Sequence, residues 1–415
     1  MKTLILNNYK LLSLLTILTF FTIIVGTAIA NFFLLLSIIT FLLIDNKNYI
    51  YFYKLDNFSK ILALFFIYIL ITSFFAENEF YSLKKAFFYL KFFFFFIALK
   101  ICIEKHVVFF DIFLKFILPI FLIVLLDGLF QSVFQFNLIG MINNTSRISG
   151  FFGDEWILGS FVFHVAPVAL LSIFFYKNIT NKIKNIFLVI LISLSIIVIY
   201  ISGERTIFFI SIIYFFTITA IIFANKKLFI LFFAIFVITI FALNPSGKNY
   251  RIFKSFNFNY PSKDGTVPTV FSTFTVYKDL YSTAFKMFLD KKLIGHGVQS
   301  FRIKCADKKF FTNRFGCSTH PHNYYFQVLA ENGIIGFLIF LSIILFLTKD
   351  FVFIFLKWLK NKKDTKNLAL MIILLNIIIS FTPIIPTGNI YSSISGIFIF
   401  FKLALYTGLK LKKFN

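Results

Sequence analysis

The residues best suited to chemistry lie in one stretch, His320-Pro321-His322-Asn323, followed by Gln327 and Glu331 and then by a long apolar run. An imidazole titrates near neutral pH and can take a proton from a hydroxyl in a transition state. Pro321 has no backbone donor and belongs at or before a first helical turn, so the stretch predicts a helix from residue 323. Asn323, Gln327 and Glu331 follow at steps of four and share one face of it. At 1.5 Å per residue Glu331 lies roughly 12 Å deeper than Asn323. In a membrane helix a carboxylate at that depth must face protein or a wet cavity. The expectation is a polar groove opening at a membrane surface, with His322 as catalytic base and Asn323 and Glu331 as substrate contacts. Ordinary readings stand beside it: a histidine at a helix start can be a cap or surface residue, and a glutamate inside a helix can simply join helices.

Arginine supplies the second chemistry. The chain has five: Arg147, Arg205, Arg251, Arg302 and Arg314. Lysine is otherwise the default cation, and a guanidinium adds a planar fork that matches phosphate or carboxylate. Arg205 lies in the tight turn Ser202-Gly203-Glu204-Arg205-Thr206. Arg147 opens Arg147-Ile148-Ser149-Gly150-Phe151. Arg302 follows Gly295-His296-Gly297-Val298-Gln299-Ser300-Phe301, whose glycines permit a sharp turn with exposed amides. The competing reading of each arginine is an interfacial anchor that reaches for headgroups.

The elements that position these residues are membrane helices. The 415 residues are 59% hydrophobic and 14% charged, with a mean hydropathy of +0.90, which excludes a soluble globular chain of this size. The 67 phenylalanines, including the run 92–96, are read as apolar filling with no function attached. The apolar runs predict an all-α polytopic membrane protein of about twelve spans: 11–28, 30–44, 61–76, 86–103, 116–135, 156–175, 186–202, 206–224, 228–243, 323–348, 368–385 and 390–408. Ala28-Ile29-Ala30 imitates a cleavage site, but the apolar run that follows at once favours an uncleaved hairpin. With both termini cytoplasmic, basic residues crowd the cytoplasmic segments and all five arginines fall outside. The net charge of +24 then reports topology, with no nucleic-acid partner. Residues 350–360 read as an interfacial continuation of a helix and not a span.

The chain divides into residues 1–243, a periplasmic loop 244–322, and residues 323–415, all within one integral domain. Within the loop, 250–270 reads as irregular. Residues 277–289 predict an amphipathic helix over the bundle, with Leu280, Tyr281, Ala284, Phe285, Phe288 and Leu289 as its apolar face. Cys102 lies in a span. Cys305 and Cys317 lie in the loop, where a disulfide is the natural reading of an oxidising compartment. Zinc held with His320 and His322 is the rival, at an unusual ligand spacing.

The order and placement of Ser202-Gly203-Glu204-Arg205-Thr206, the turn 295–301, His322-Asn323, Glu331 and the Gly333/Gly336 pair resembles the O-antigen ligase and polymerase superfamily. The segment 147–151 is similar to that family's segment before the sixth span, and Glu204 departs from its usual small polar residue. The resemblance implies a membrane-embedded, GT-C-like glycosyltransferase at the periplasmic face of the bacterial inner membrane, inverting and free of metal and other cofactors. Its donor is a glycan on undecaprenyl diphosphate. A ligase passes it to lipid A-core, and a polymerase passes it to another lipid-linked glycan. By resemblance His322 matches the essential histidine and Arg205 an arginine on the diphosphate. The family's second loop arginine lies upstream of the glycine turn, where this chain offers Lys278, Lys286 and Arg251; Arg302 and Arg147 are carried as further substrate contacts.

The chemistry points the same way independently. A diphosphate leaving group needs fixed cations, an acceptor hydroxyl needs a base, and a roofed groove gives access from lipid and from water. The loop has no Asp-x-Asp pair to hold a divalent metal. A polysaccharide transporter is the competing class. Against it stand the lack of an internal repeat or of matching Gly/Pro-broken helices and the clustering of polar residues on one side. The twelve spans and the single His-Asn helix favour ligase over polymerase.

Overall fold

The computed structural model describes residues 2–44, 48–52, 54–105, 107–142, 147–176, 180–223, 234, 270–311, 315–383 and 385–412. Among them the regular elements are helices: α1 (Lys2–Phe21), α2 (Thr27–Ile44), α3 (Asn57–Ser73), α4 (Glu79–Lys105), α5 (Val107–Phe134), α6 (Leu158–Phe175), α7 (Asn181–Ile201), α8 (Arg205–Ile222), α9 (Val270–Asp290), α10 (Phe301–Lys304), α11 (Tyr324–Lys360), α12 (Thr365–Ser380) and α13 (Ser393–Leu411). Eight of these are long and apolar enough to cross a membrane, and shorter apolar helices cover 8–21, 57–73 and 365–380. Eleven of the expected spans therefore coincide with apolar helices. The ninth, 228–243, lies outside the described residues except for position 234, and the stretch 250–269, Arg251 and Arg314 lie outside them entirely.

Side chains set the helix starts. Asp56 caps α3 by accepting from the Ser59 N–H at 2.7 Å, and Asp364 caps α12 through Asn367 N–H at 3.0 Å. Helices α4 and α13 make the most extensive packing in the molecule, and α1 pairs with α2 and α5. The phenylalanine run becomes core here: Phe92, Phe93, Phe95 and Phe96 are buried, and Phe92 stacks on Phe400 at 5.7 Å.

Contacts between helix ends sort into two groups. At one end Asp56 pairs with Lys100 at 2.6 Å, Lys105 meets the Tyr51 hydroxyl at 2.7 Å, and Asp350 pairs with Lys410 at 2.5 Å. At the other end lie the starts of α6, α8, α11 and α13, together with α9, α10 and the 291–322 segment. All three described arginines are there, and this is called the site end below.

Helix α11 runs through Lys360, so residues 350–360 do continue it. It is broken at Gly333 (φ 64°, ψ −169°), a break that the apolar pattern did not announce. Helix α9 begins seven residues earlier than expected, and its buried stripe is Leu280, Thr283, Ala284 and Met287. Phe285 and Leu289, expected on that face, are exposed instead. The stripe advances by three and four residues, which fits the side facing α11; Phe285 and Leu289 fall on the opposite side.

Candidate active site

The site end is assembled around the break in α11. At Gly333 the helix stops bonding to itself and bonds to the incoming loop. The Ala330 carbonyl accepts from His296 N–H at 3.1 Å and the Glu331 carbonyl from Gly297 N–H at 2.8 Å. Beyond the break, Ile334 N–H donates to the Lys292 carbonyl at 2.8 Å. A Cβ at Gly333 would overlap the Leu293 carbonyl and one at Gly295 the Glu331 carbonyl, so the pair of glycines permits the approach. These bonds pair carbonyls and amides that the broken helix leaves without intrahelical partners.

Glu331 completes this joint. Its carboxylate is 1% exposed and accepts from Phe301 N–H and Gln299 N–H, each at 3.0 Å, and from Gln327 Nε2 at 3.3 Å. Gln327 also donates to Asn389 Oδ1 at 2.8 Å and accepts from Ile390 N–H at 3.1 Å. Asn323 caps α11, accepting from Tyr325 N–H at 2.9 Å, while its Nδ2 donates to the Pro383 carbonyl at 2.7 Å. The polar stripe therefore exists on one face as expected, but it is filled. A buried amide or carboxylate costs too much unpaired, so these side chains take protein partners along the stripe.

His322 is the residue left at the mouth. Its backbone is left-handed (φ 55°), a conformation that non-glycine residues rarely hold, and its carbonyl is fixed by Thr387 N–H at 2.8 Å. His320 packs against His322. The left-handed residue folds the chain back, and the two imidazoles lie 4.0 Å apart. Tyr277 of α9 stands 6.0 Å from the His322 ring, and Tyr281 stacks on Phe326 at 4.7 Å, so α9 roofs the start of α11. Burial lowers the His322 imidazole below its ordinary value, against the opposing pull of a hydrogen bond from the ring to the Thr387 backbone. His320 is pushed down to about 3 by burial, with the charges of His322 and Arg302 adding to it. Both rings are neutral at pH 7, the form a base requires. Arg302 is exposed on α10 with its charge felt at His320.

Cys305 and Cys317 are joined by a disulfide with Cα atoms 4.9 Å apart, which uses the thiolates that zinc would need. In the chain-entropy model a loop of this size stabilises by about 3 kcal/mol. Glu77, from the α3–α4 connection, pairs with Lys304, and Ser82 Oγ donates to the Val298 carbonyl at 3.1 Å, tying the same segment to α4.

The other arginines form a second cluster. The turn between α7 and α8 places Arg205 as the first residue of α8. Before it, Glu204 reaches to the start of α6 and accepts from Gly159 N–H at 2.6 Å and from Ser160 Oγ at 2.5 Å. Burial raises this carboxyl to about 7, against the pull of the Ser160 and Gly159 hydrogen bonds and of the nearby Arg147 charge. Arg147 lies over the Trp156 ring at 4.8 Å. Its loop is pinned from α5: Gln131 Oε1 accepts from Gly150 N–H at 2.7 Å, and Asp127 Oδ1 accepts from Leu138 N–H at 2.8 Å. The structure thus groups Arg147 with Arg205, and Arg302 with His322.

Sequence reasoning passed over Asp127, Gln131, Gln299, His164 and Lys402. The signal was present for the last two, because an ionisable residue inside an apolar span is a candidate by its position alone.

Comparison with known proteins agrees with the motifs. No curated protein matches the chain. Residues 187–341 match the family model described as O-antigen ligase, a segment that holds Arg205, Arg302, the disulfide, His322, Asn323 and Glu331 and leaves out Arg147. Through that match residues 187–341 are similar to the O-antigen ligase family, the family whose motifs the sequence resembles.

Proposed function

We propose that this protein is an O-antigen ligase that transfers a glycan from undecaprenyl diphosphate to lipid A-core at the periplasmic face of the inner membrane. The observation that carries this reading is His322: a neutral, partly buried imidazole held in a left-handed backbone beneath the α9 roof. Strain at one residue, fixed by its neighbours, is what a positioned base requires. In the reaction His322 takes the acceptor hydroxyl proton as oxygen attacks the anomeric carbon, and the carbon–oxygen bond to the diphosphate breaks with inversion. Arg205 and Arg147 receive the charge that develops on the leaving diphosphate, and Arg302 holds anionic groups beside His322. A cation at the first position of α8 opposes the helix dipole, a cost that a bound diphosphate reverses. Asn323 and Glu331 act as positioning residues. No step draws on a metal or other cofactor.

The polymerase of the same superfamily is the second reading, since the shared family match covers both activities. Two measurements decide. Purified protein in detergent should transfer glycan from lipid-linked donor to acceptor; a transporter gives no product. Deleting the gene should leave long lipid-linked glycan unattached, whereas accumulation or display of single repeat units identifies a polymerase.

A further inference from the structure

A lysine lies deep in the bundle, between the two clusters. Lys402 of α13 is 1% exposed, and its ammonium meets three acceptors: Asn376 Oδ1 at 2.6 Å, His164 Nδ1 at 2.8 Å and Ser380 Oγ at 3.2 Å. Among the described residues no carboxylate lies within ion-pair reach of it, in contrast to Lys100, which pairs with Asp56. An ammonium has three donors, and here each has one partner. With Lys402 charged, His164 accepts at Nδ1 and carries its proton on Nε2. A second bond, from Asn376 Nδ2 to the Phe163 carbonyl at 3.0 Å, locks α12 to α6 at the same level.

The partners lead to both halves of the proposed site. His164 is one helical turn below Ser160, roughly 6 Å along α6, and Ser160 holds Glu204 beside Arg205. Ser380 is the last residue of α12. The chain directly after it supplies the Phe381 carbonyl to the Tyr325 hydroxyl at 2.6 Å and the Pro383 carbonyl to Asn323. It also supplies the Thr387 N–H that fixes His322. One side chain thus ties α6, whose start holds Glu204 beside Arg205, to the segment that holds the histidine.

We propose that Lys402, through His164 and Ser380, is a positioning residue that sets the separation between the arginine cluster and His322. The proposal rests on the glycosyl-transfer reading for its kinetic consequence, but its geometric content stands alone. Without the ammonium, each half keeps its own local bonds, while their relative placement loses its common anchor. Binding of each substrate alone then changes little and turnover falls, because small misplacement of reacting groups is costly to rate.

The test uses the full chain in detergent or nanodiscs, with Lys402→Met and Lys402→Gln. Spin labels at Glu155→Cys and Thr319→Cys, both exposed positions, report the distance between the clusters. The expected result is a single narrow distance distribution in the parent chain and a broadened or shifted one in each variant that remains monodisperse with unchanged helicity. In the same preparations kcat should fall about 10- to 100-fold, with donor KM within twofold. His164→Gln, which keeps an acceptor for the ammonium, should retain the narrow distribution. Identical distributions in parent and Lys402 variants would overturn the proposal and leave the cluster as packing alone. If the parent protein transfers no glycan, the functional reading fails by itself, and the distance measurement still decides the role of Lys402.

Discussion

His322 and Arg205 sit at the same end of the bundle, yet one is held by backbone geometry and the other by charge. Around His322 the contacts are short hydrogen bonds and fixed backbone: a left-handed residue, a carbonyl bonded to Thr387, a capping Asn323, and a glycine turn clipped to a broken helix by Glu331. Around Arg205 the organising features are the Arg147 cation, the Glu204 carboxyl raised to about 7, and the amides at the start of α6. The first region is set before any ligand arrives. The second is balanced by protonation and has an internal carboxylate near the place proposed for a diphosphate. A base must be within hydrogen-bond reach of one proton, which rewards rigidity. A seat for a departing anion works through field, which tolerates some movement but depends on every nearby charge.

That contrast gives variants a rank order. The largest effect is expected from His322→Ala, a loss of about 10²–10⁴ in kcat for removal of a general base. Because the folded imidazole titrates below its ordinary value of 6.5, the acid limb of the parent rate should be centred below pH 6.5. An acid limb centred above pH 6.5, or full activity in His322→Ala, would break the assignment.

Arg205→Lys comes next. It preserves charge and loses the fork, so turnover should fall by about 10² with protein level unchanged. Transfer assays at saturating donor measure this directly, and near-parent activity would return Arg205 to the role of an interfacial anchor.

The smallest effect, and the one that sharpens the comparison, concerns Glu204→Gln. A carboxyl whose folded value is raised above its ordinary 4.5 to about 7 binds a proton more tightly when folded. Stability from this group is therefore complete below about pH 4.5 and declines as pH rises toward 7. Thermal unfolding of the parent chain should show that decline and Glu204→Gln should flatten it. The same scan on His322→Ala should keep the decline, since that region is held by other means. An equal slope in the parent chain and Glu204→Gln would show that the carboxyl does not titrate in this range.

Much of this was legible along the chain. Pro321 and the steps of four through Asn323, Gln327 and Glu331 placed the start of α11 and its polar face, because helical spacing is a local property. The two loop cysteines and the turn motifs were readable for the same reason. The function of the polar stripe was not. Asn323, Gln327 and Glu331 look identical in sequence whether they line water or bond to protein, and only their partners decide.

The sequence by itself determined that the chain is a bundle of apolar helices with a histidine at one helix mouth. Periodicity, hydropathy and proline chemistry act within a few residues, so a reader of the chain can follow them. The tertiary structure alone decided that α11 breaks at Gly333 to receive the glycine turn, that Glu204 reaches α6, and that Lys402 finds His164 from 238 residues away. Those outcomes depend on buried polar groups seeking partners across helices. That demand is set by the desolvated interior of the folded bundle and is written in no single stretch of the chain.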